Sequence, residues 1–82
     1  MFNERRIELE LNAIISDIVF YGRQFNYTQH IKRVKTIIEK LSYLKANARS
    51  NAELSRLSKL EFRASMYLNT MIAYQAEQEY QR

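Results

Sequence analysis

Apolar residues recur along this chain at intervals of three and four. That spacing gathers side chains on one face of an α-helix. Ile7, Leu11, Ile14, Ile18 and Tyr21 form the first stripe and predict a helix from Glu4 to about Tyr21. Asn3 stands before it as an N-cap whose side-chain oxygen can take a free backbone N–H of the first turn. Phe2 and Ile7 occupy the positions of a hydrophobic staple across that cap. Glu4 sits where the helix dipole favours negative charge. Gly22 follows the last apolar position, where a chain leaving a helix turns left-handed.

A second stripe, Tyr27, Ile31, Val34, Ile38 and Leu41, widened by Ile37 and Leu44, predicts a helix starting near Tyr27. Asn26 is its expected cap, with Gln29 as the capping-box partner three residues on. The pattern fades in "KANARSN", which holds neither glycine nor proline. A break is expected there, with one continuous helix as the alternative. Ser50 and Glu53 form a second capping box directly before an apolar run. The third helix therefore starts near Asn51, follows Leu54, Leu57, Leu60, Ala64, Tyr67, Leu68 and Met71, and runs to about Glu79.

The predicted fold is all-α: a small three-helix bundle, or a helical hairpin with a long third helix, forming one domain over residues 1–82. The expected core is Leu11, Ile14, Ile18, Val34, Ile38, Leu41, Leu57, Ala64 and Leu68. With no proline and one glycine, tight β-hairpin turns have little to build on. The segment "FYGRQFNYTQH" gathers the only glycine and the only histidine with four aromatic residues. It reads as a turn between helices, with Phe25 covering the bundle end and the Tyr21 and Tyr27 hydroxyls directed to water. His30 falls in the first turn of the second helix, a poor place for a protonated imidazole.

Chemistry is sparse. Without cysteine there are no disulfides and no thiolate metal sites. One histidine cannot build a zinc site without several carboxylates beside it. Glu8 and Glu61 lie on polar or boundary positions with no partner expected to shift a pKa, and no serine stands in a nucleophile motif. No glycine-rich loop is present to cradle a phosphate. The expectation is a protein that is not an enzyme and needs no cofactor or metal. The first 22 residues carry six charged side chains, unlike a secretory leader. No apolar run approaches the ~20 residues of a membrane span. The chain is expected to stay in the cytoplasm.

The net charge of +4 is uneven: −2 over residues 1–21, +6 over 22–50 and zero over 51–82. A basic centre invites a nucleic-acid reading. On a helical projection, however, Arg33 and Lys40 fall on one side of the second apolar stripe, Lys35, Lys45 and Arg49 on the other, and Lys32 opposite. Such bases line the edges of a core more readily than they track a phosphate backbone. The acidic first helix and basic second helix also suit one another as neighbours.

Surplus apolar surface is more informative. Leu9, Ala13 and Phe20 form a second face on the first helix, with Ile15 and Val19 as a shoulder. Phe62, Met66 and Ala73 lie about 160° from the core stripe of the third helix. The end of that helix, "MIAYQAEQEY", is expected to outrun its partners. A small bundle cannot cover these second faces, and exposed apolar patches mark interaction surfaces. Leu9, Phe20, Phe62 and Met66 are the candidate partner anchors, with Arg33 and Lys40 as a basic rim. A homodimer is expected, because an 82-residue chain buries a thin core.

The opening "MFNERRIELELNAIISDIVFYG", the 82-residue length and the lysine-, asparagine-, isoleucine- and tyrosine-rich composition resemble the rapid-lysis protein III family of T-even phages. These are small accessory antiholins of lysis inhibition. The resemblance spans the whole chain and rests on no diagnostic motif. It implies a protein of the host cytoplasm that binds the cytoplasmic N-terminal segment of the phage holin, is recruited by it to the inner membrane, and delays pore formation. It implies no catalytic residues. The alternative is a small basic nucleic-acid-binding regulator.

Overall fold

The computed structural model describes residues 3–80. It contains helices α1 (Glu4–Tyr21), α2 (Thr28–Ala46) and α3 (Asn51–Tyr80), with a short 3₁₀ turn at Gly22–Gln24 and no strand among the described residues. The three helices form an elongated bundle, 48 × 20 × 19 Å, with α3 as its long member.

Local chemistry explains the boundaries. Asn3 Oδ1 accepts the Arg6 N–H at 2.7 Å, which fixes the start of α1. The staple expected from Phe2 lies outside the described residues. Gly22 ends α1 at φ 64°, ψ −147°, while its N–H still donates to the Ile18 carbonyl. The positive φ is as expected, but ψ lies outside the left-handed helical region. Ser50 Oγ accepts the Glu53 N–H at 3.1 Å and starts α3. The break in "KANARSN" is real: α2 ends at Ala46, and the Asn47 side-chain amide donates to the Tyr43 carbonyl at 2.9 Å. An asparagine thus closes the last turn where no glycine is available.

The start of α2 departs from the expected capping box. Asn26 Oδ1 accepts the Thr28 N–H at 3.0 Å. Gln29 does not reach back; it lines the groove towards α1. The Tyr27 N–H donates instead to Gln75 Oε1 of α3, and Gln75 Nε2 donates to Thr28 Oγ1. A side chain 48 positions away does what a local one was expected to do.

The core comprises Ile7, Leu11, Ile14, Ile18, Tyr27, Val34, Ile37, Leu41, Leu57, Leu60, Ala64 and Met71. Two expected members, Ile38 and Leu68, are only partly buried. Helix α2 is turned so that Ile37 faces inward, at 2% exposure. It lies between two neighbours, and the sequence stripe alone does not fix how far each side is covered. Tyr21 and Leu54, expected on core stripes, are exposed.

Cross-links give the helix directions. Glu4 pairs with Arg56 and Asn12 with Arg63, so α1 and α3 run parallel. Lys45 pairs with Glu61 and Thr28 with Gln75, so α2 and α3 run antiparallel. The acidic α1 therefore serves α3 as well as α2. Glu61 binds Lys45 at 2.9 Å and Glu8 binds Arg5 at 3.1 Å.

The tail of α3 does not overhang. Gln78 Nε2 donates to the carbonyls of Arg23 and Phe25, and the Arg23 guanidinium meets Glu77 at 3.1 Å while lying over the Tyr74 ring. Glutamines and a glutamate on α3 thereby satisfy polar groups of the α1–α2 turn.

Candidate partner-binding surfaces

The aromatic turn is a structural end-cap. Tyr21 and Phe25 stack with ring centroids 4.1 Å apart, and Phe25, Tyr27 and His30 meet edge to face. Tyr27 is fully buried, contrary to the expectation that its hydroxyl meets water: the O–H donates to the Gly22 carbonyl. Burial, with smaller contributions from Tyr74 and Asp17, pushes the Tyr27 phenol above its ordinary pKa. His30 Nε2 donates to Asp17 Oδ2 at 2.8 Å, because an ionised carboxylate can only accept. Asp17 lies 13 positions away on another helix, so sequence spacing gave no sign of the pair. The Tyr27 hydroxyl, His30 Nε2 and Asp17 Oδ2 are thus each engaged within the fold.

Leu9, Phe20, Phe62 and Met66 are all exposed, at 51%, 81%, 66% and 51%. They do not form one patch. Helix α1 shows Glu4 and Asn12 to α3, Asp17 and Glu10 to α2, and its buried stripe to the core. Leu9, Ala13, Ser16 and Phe20 occupy the remaining outward arc at spacings of four, three and four. Phe62 and Met66 lie on the outward arc of α3, away from both Arg63, which faces α1, and Glu61, which faces α2. The seam between the two arcs is crossed by the polar contacts Glu4–Arg56, Asn12–Arg63 and Arg23–Glu77, and holds a second groove of about 390 Å³ lined by Arg5, Glu8, Lys59 and Leu60 with Glu4, Arg56 and Arg63.

Arg33 and Lys40 come together on the other side of α1. With Lys32, Gln29, Thr36, Ile37 and Glu10 they line a shallow groove of about 360 Å³ along the α1–α2 seam. Three cationic side chains face one carboxylate there. Sequence projection had separated Lys32 from Arg33 and Lys40; their reach across the open side of α2 joins them. The outward arc of α1 thus has a basic groove on its α2 flank, whereas the arc of α3 lies beyond the far seam.

No protein-family model matches this chain, and no curated protein or solved structure matches it significantly. Function is therefore read from these surfaces. Among the described residues no group of three histidine, cysteine or acidic side chains is placed to hold a metal ion. No helix among them is long and apolar enough to cross a membrane.

Proposed function

We propose that this chain is a non-enzymatic interaction protein that captures a helical segment of another protein on the outward arc of α1. The observation that carries this reading is the exposure of Leu9 and Phe20 on α1, the helix whose Glu10, next to Leu9 in the chain, lines the basic groove with Lys32, Arg33 and Lys40. Apolar anchors supply affinity, and a neighbouring band of one charge selects and steers an amphipathic partner with acidic side chains. On the resemblance to accessory antiholins, the partner is the cytoplasmic N-terminal segment of a phage holin. The consequence is a delay of lysis, with the protein working in the host cytoplasm and drawn to the inner membrane by its partner. A homodimer, expected from the thin core, uses a different face in this reading.

Phe20→Ala tests the proposal. The side chain is 81% exposed, so thermal unfolding should be unchanged within about half a kilocalorie. Binding to a holin N-terminal peptide should weaken at least tenfold, and lysis delay in infected cells should shorten. Arg33→Glu should chiefly slow association, and less so as salt screens the groove. Unchanged lysis delay with normal Phe20→Ala expression would remove the α1 arc as the binding site. Nucleic-acid binding at physiological salt that falls steeply with added salt, and is lost in Arg33→Glu, would transfer the groove to the regulator alternative.

A further inference from the structure

The second apolar face has its own geometry. Phe62, Met66, Asn69, Ala73, Ala76 and Tyr80 are all exposed, and follow one another at spacings of four, three, four, three and four. That is the repeat of a coiled-coil seam. It runs ~27 Å along α3, opposite the side buried through Leu57, Leu60, Ala64 and Met71. α3 is thus apolar on two sides, and among the described residues only one of them is buried.

We infer that two copies of this protein associate antiparallel through this stripe of α3, with the two-fold axis passing at residue 71. This goes beyond the capture of a partner and does not depend on that partner's identity. About that axis each position meets its complement: Phe62 packs on Tyr80 of the second copy, Met66 on Ala76, and Asn69 on Ala73. Large side chains oppose small ones next to the axis, which lets the backbones approach. The aromatic pairs close the two ends. The two Asn69 side chains stand about one turn apart across the axis, a polar position of the kind that fixes register in helical pairs.

Area and charge favour a second copy as the occupant. Tyr80 is 94% exposed, and Phe62 and Met66 are mostly open. An aromatic side chain carries ~150–250 Å², so covering these anchors and the two alanines removes roughly 500 Å² per copy. The total is about 1,000 Å², the threshold for specific association. Lys59 and Glu77 project from the same side of α3, five turns apart. A parallel pair would set each against its own copy. The antiparallel pair separates like from like: about the axis at 71, Lys59 lies beyond Tyr80 of the second copy and Glu77, which keeps its pair with Arg23, lies level with Ser65. The α1 arc is a poorer place for a second copy, because it is shorter and would bring two basic grooves together.

Full-length protein at ~50 µM should sediment as a dimer of the 9.9 kDa chain. Ala73→Glu, at an exposed helical position, should retain the circular dichroism of the parent and weaken the dimer about 100-fold. Phe20→Glu should leave it intact. The chain has no native cysteine, so cross-linking reports register directly. A mixture of Phe62→Cys and Tyr80→Cys chains should form the mixed disulfide under mild oxidation. Neither variant alone should cross-link, since equivalent positions lie ~27 Å apart and a disulfide needs Cα atoms within about 7 Å. A monomer at this concentration, self-cross-linking of Tyr80→Cys, or a dimer broken by Phe20→Glu but not by Ala73→Glu would each overturn the inference.

Discussion

Replacing Tyr27 by phenylalanine removes one oxygen from the best-buried aromatic residue and nothing else. The ring keeps its contacts with Phe25, His30 and Tyr74, at centroid distances of 5.0, 5.9 and 6.2 Å. What is lost is the hydrogen bond to the Gly22 carbonyl, which ties the end of α1 to the start of α2. A neutral intramolecular hydrogen bond contributes about 0.5–1.5 kcal/mol. Gly22 is half-buried, so water can partly replace the hydroxyl, and about 1 kcal/mol is expected. For a domain of this size that lowers Tm by roughly 4–8 °C. Urea titration followed by circular dichroism, at fixed protein concentration, should shift the midpoint without changing the slope. The pH dependence is a second readout. Folding raises the pKa of this phenol above its ordinary 10.0, so the unfolded chain ionises first. The stability it contributes is complete below pH 10 and is lost as pH rises through the folded value. The gap between parent and variant should therefore narrow above pH 10. A variant as stable as the parent within ~0.3 kcal/mol, with an identical alkaline decline, would mean the hydroxyl does not hold the turn.

Two further substitutions probe the packing. Ile37→Ala should cost ~2–5 kcal/mol, and Ile38→Ala at least 1 kcal/mol less, because only Ile37 is fully enclosed; chemical denaturation of both variants checks the order, and the reverse order would restore the helix phase expected from sequence. Gly22→Ala should cost ~1–3 kcal/mol from backbone strain alone, since a methyl there meets no atom within 4 Å. Gly22→Asn should not rescue it, because ψ −147° lies outside the left-handed helical region that asparagine tolerates; full recovery of Tm by asparagine would refute that geometry.

Much of the local architecture was written in short-range chemistry. Asn3, Gly22 and Ser50 mark helix ends because each acts within four residues of its own position. The apolar repeats, with the Ser50–Glu53 capping box, favoured three helices with a long third and left a continuous second and third helix as the alternative. They also exposed the surplus faces, since a stripe opposite a core stripe is visible on any projection. What the sequence left open depends on distances across the bundle. Helix phase to within one residue, which placed Ile37 rather than Ile38 inside, follows from how two neighbours share a groove. The capping of α2 by Gln75, the pairing of Asp17 with His30 and the hold of Gln78 on the turn join residues 13 to 55 positions apart. No local spacing encodes such contacts. The same holds for the candidate surfaces. Six residues could be named as exposed or basic from their periodicity, but only the packing decides that Arg33 and Lys40 share a groove with Lys32 and Glu10 of α1, while Phe62 and Met66 belong to another face. A helix carries its own stripes in its sequence; which stripes meet is set by the rotation of each helix against its neighbours, and that is fixed by the packing of the whole bundle.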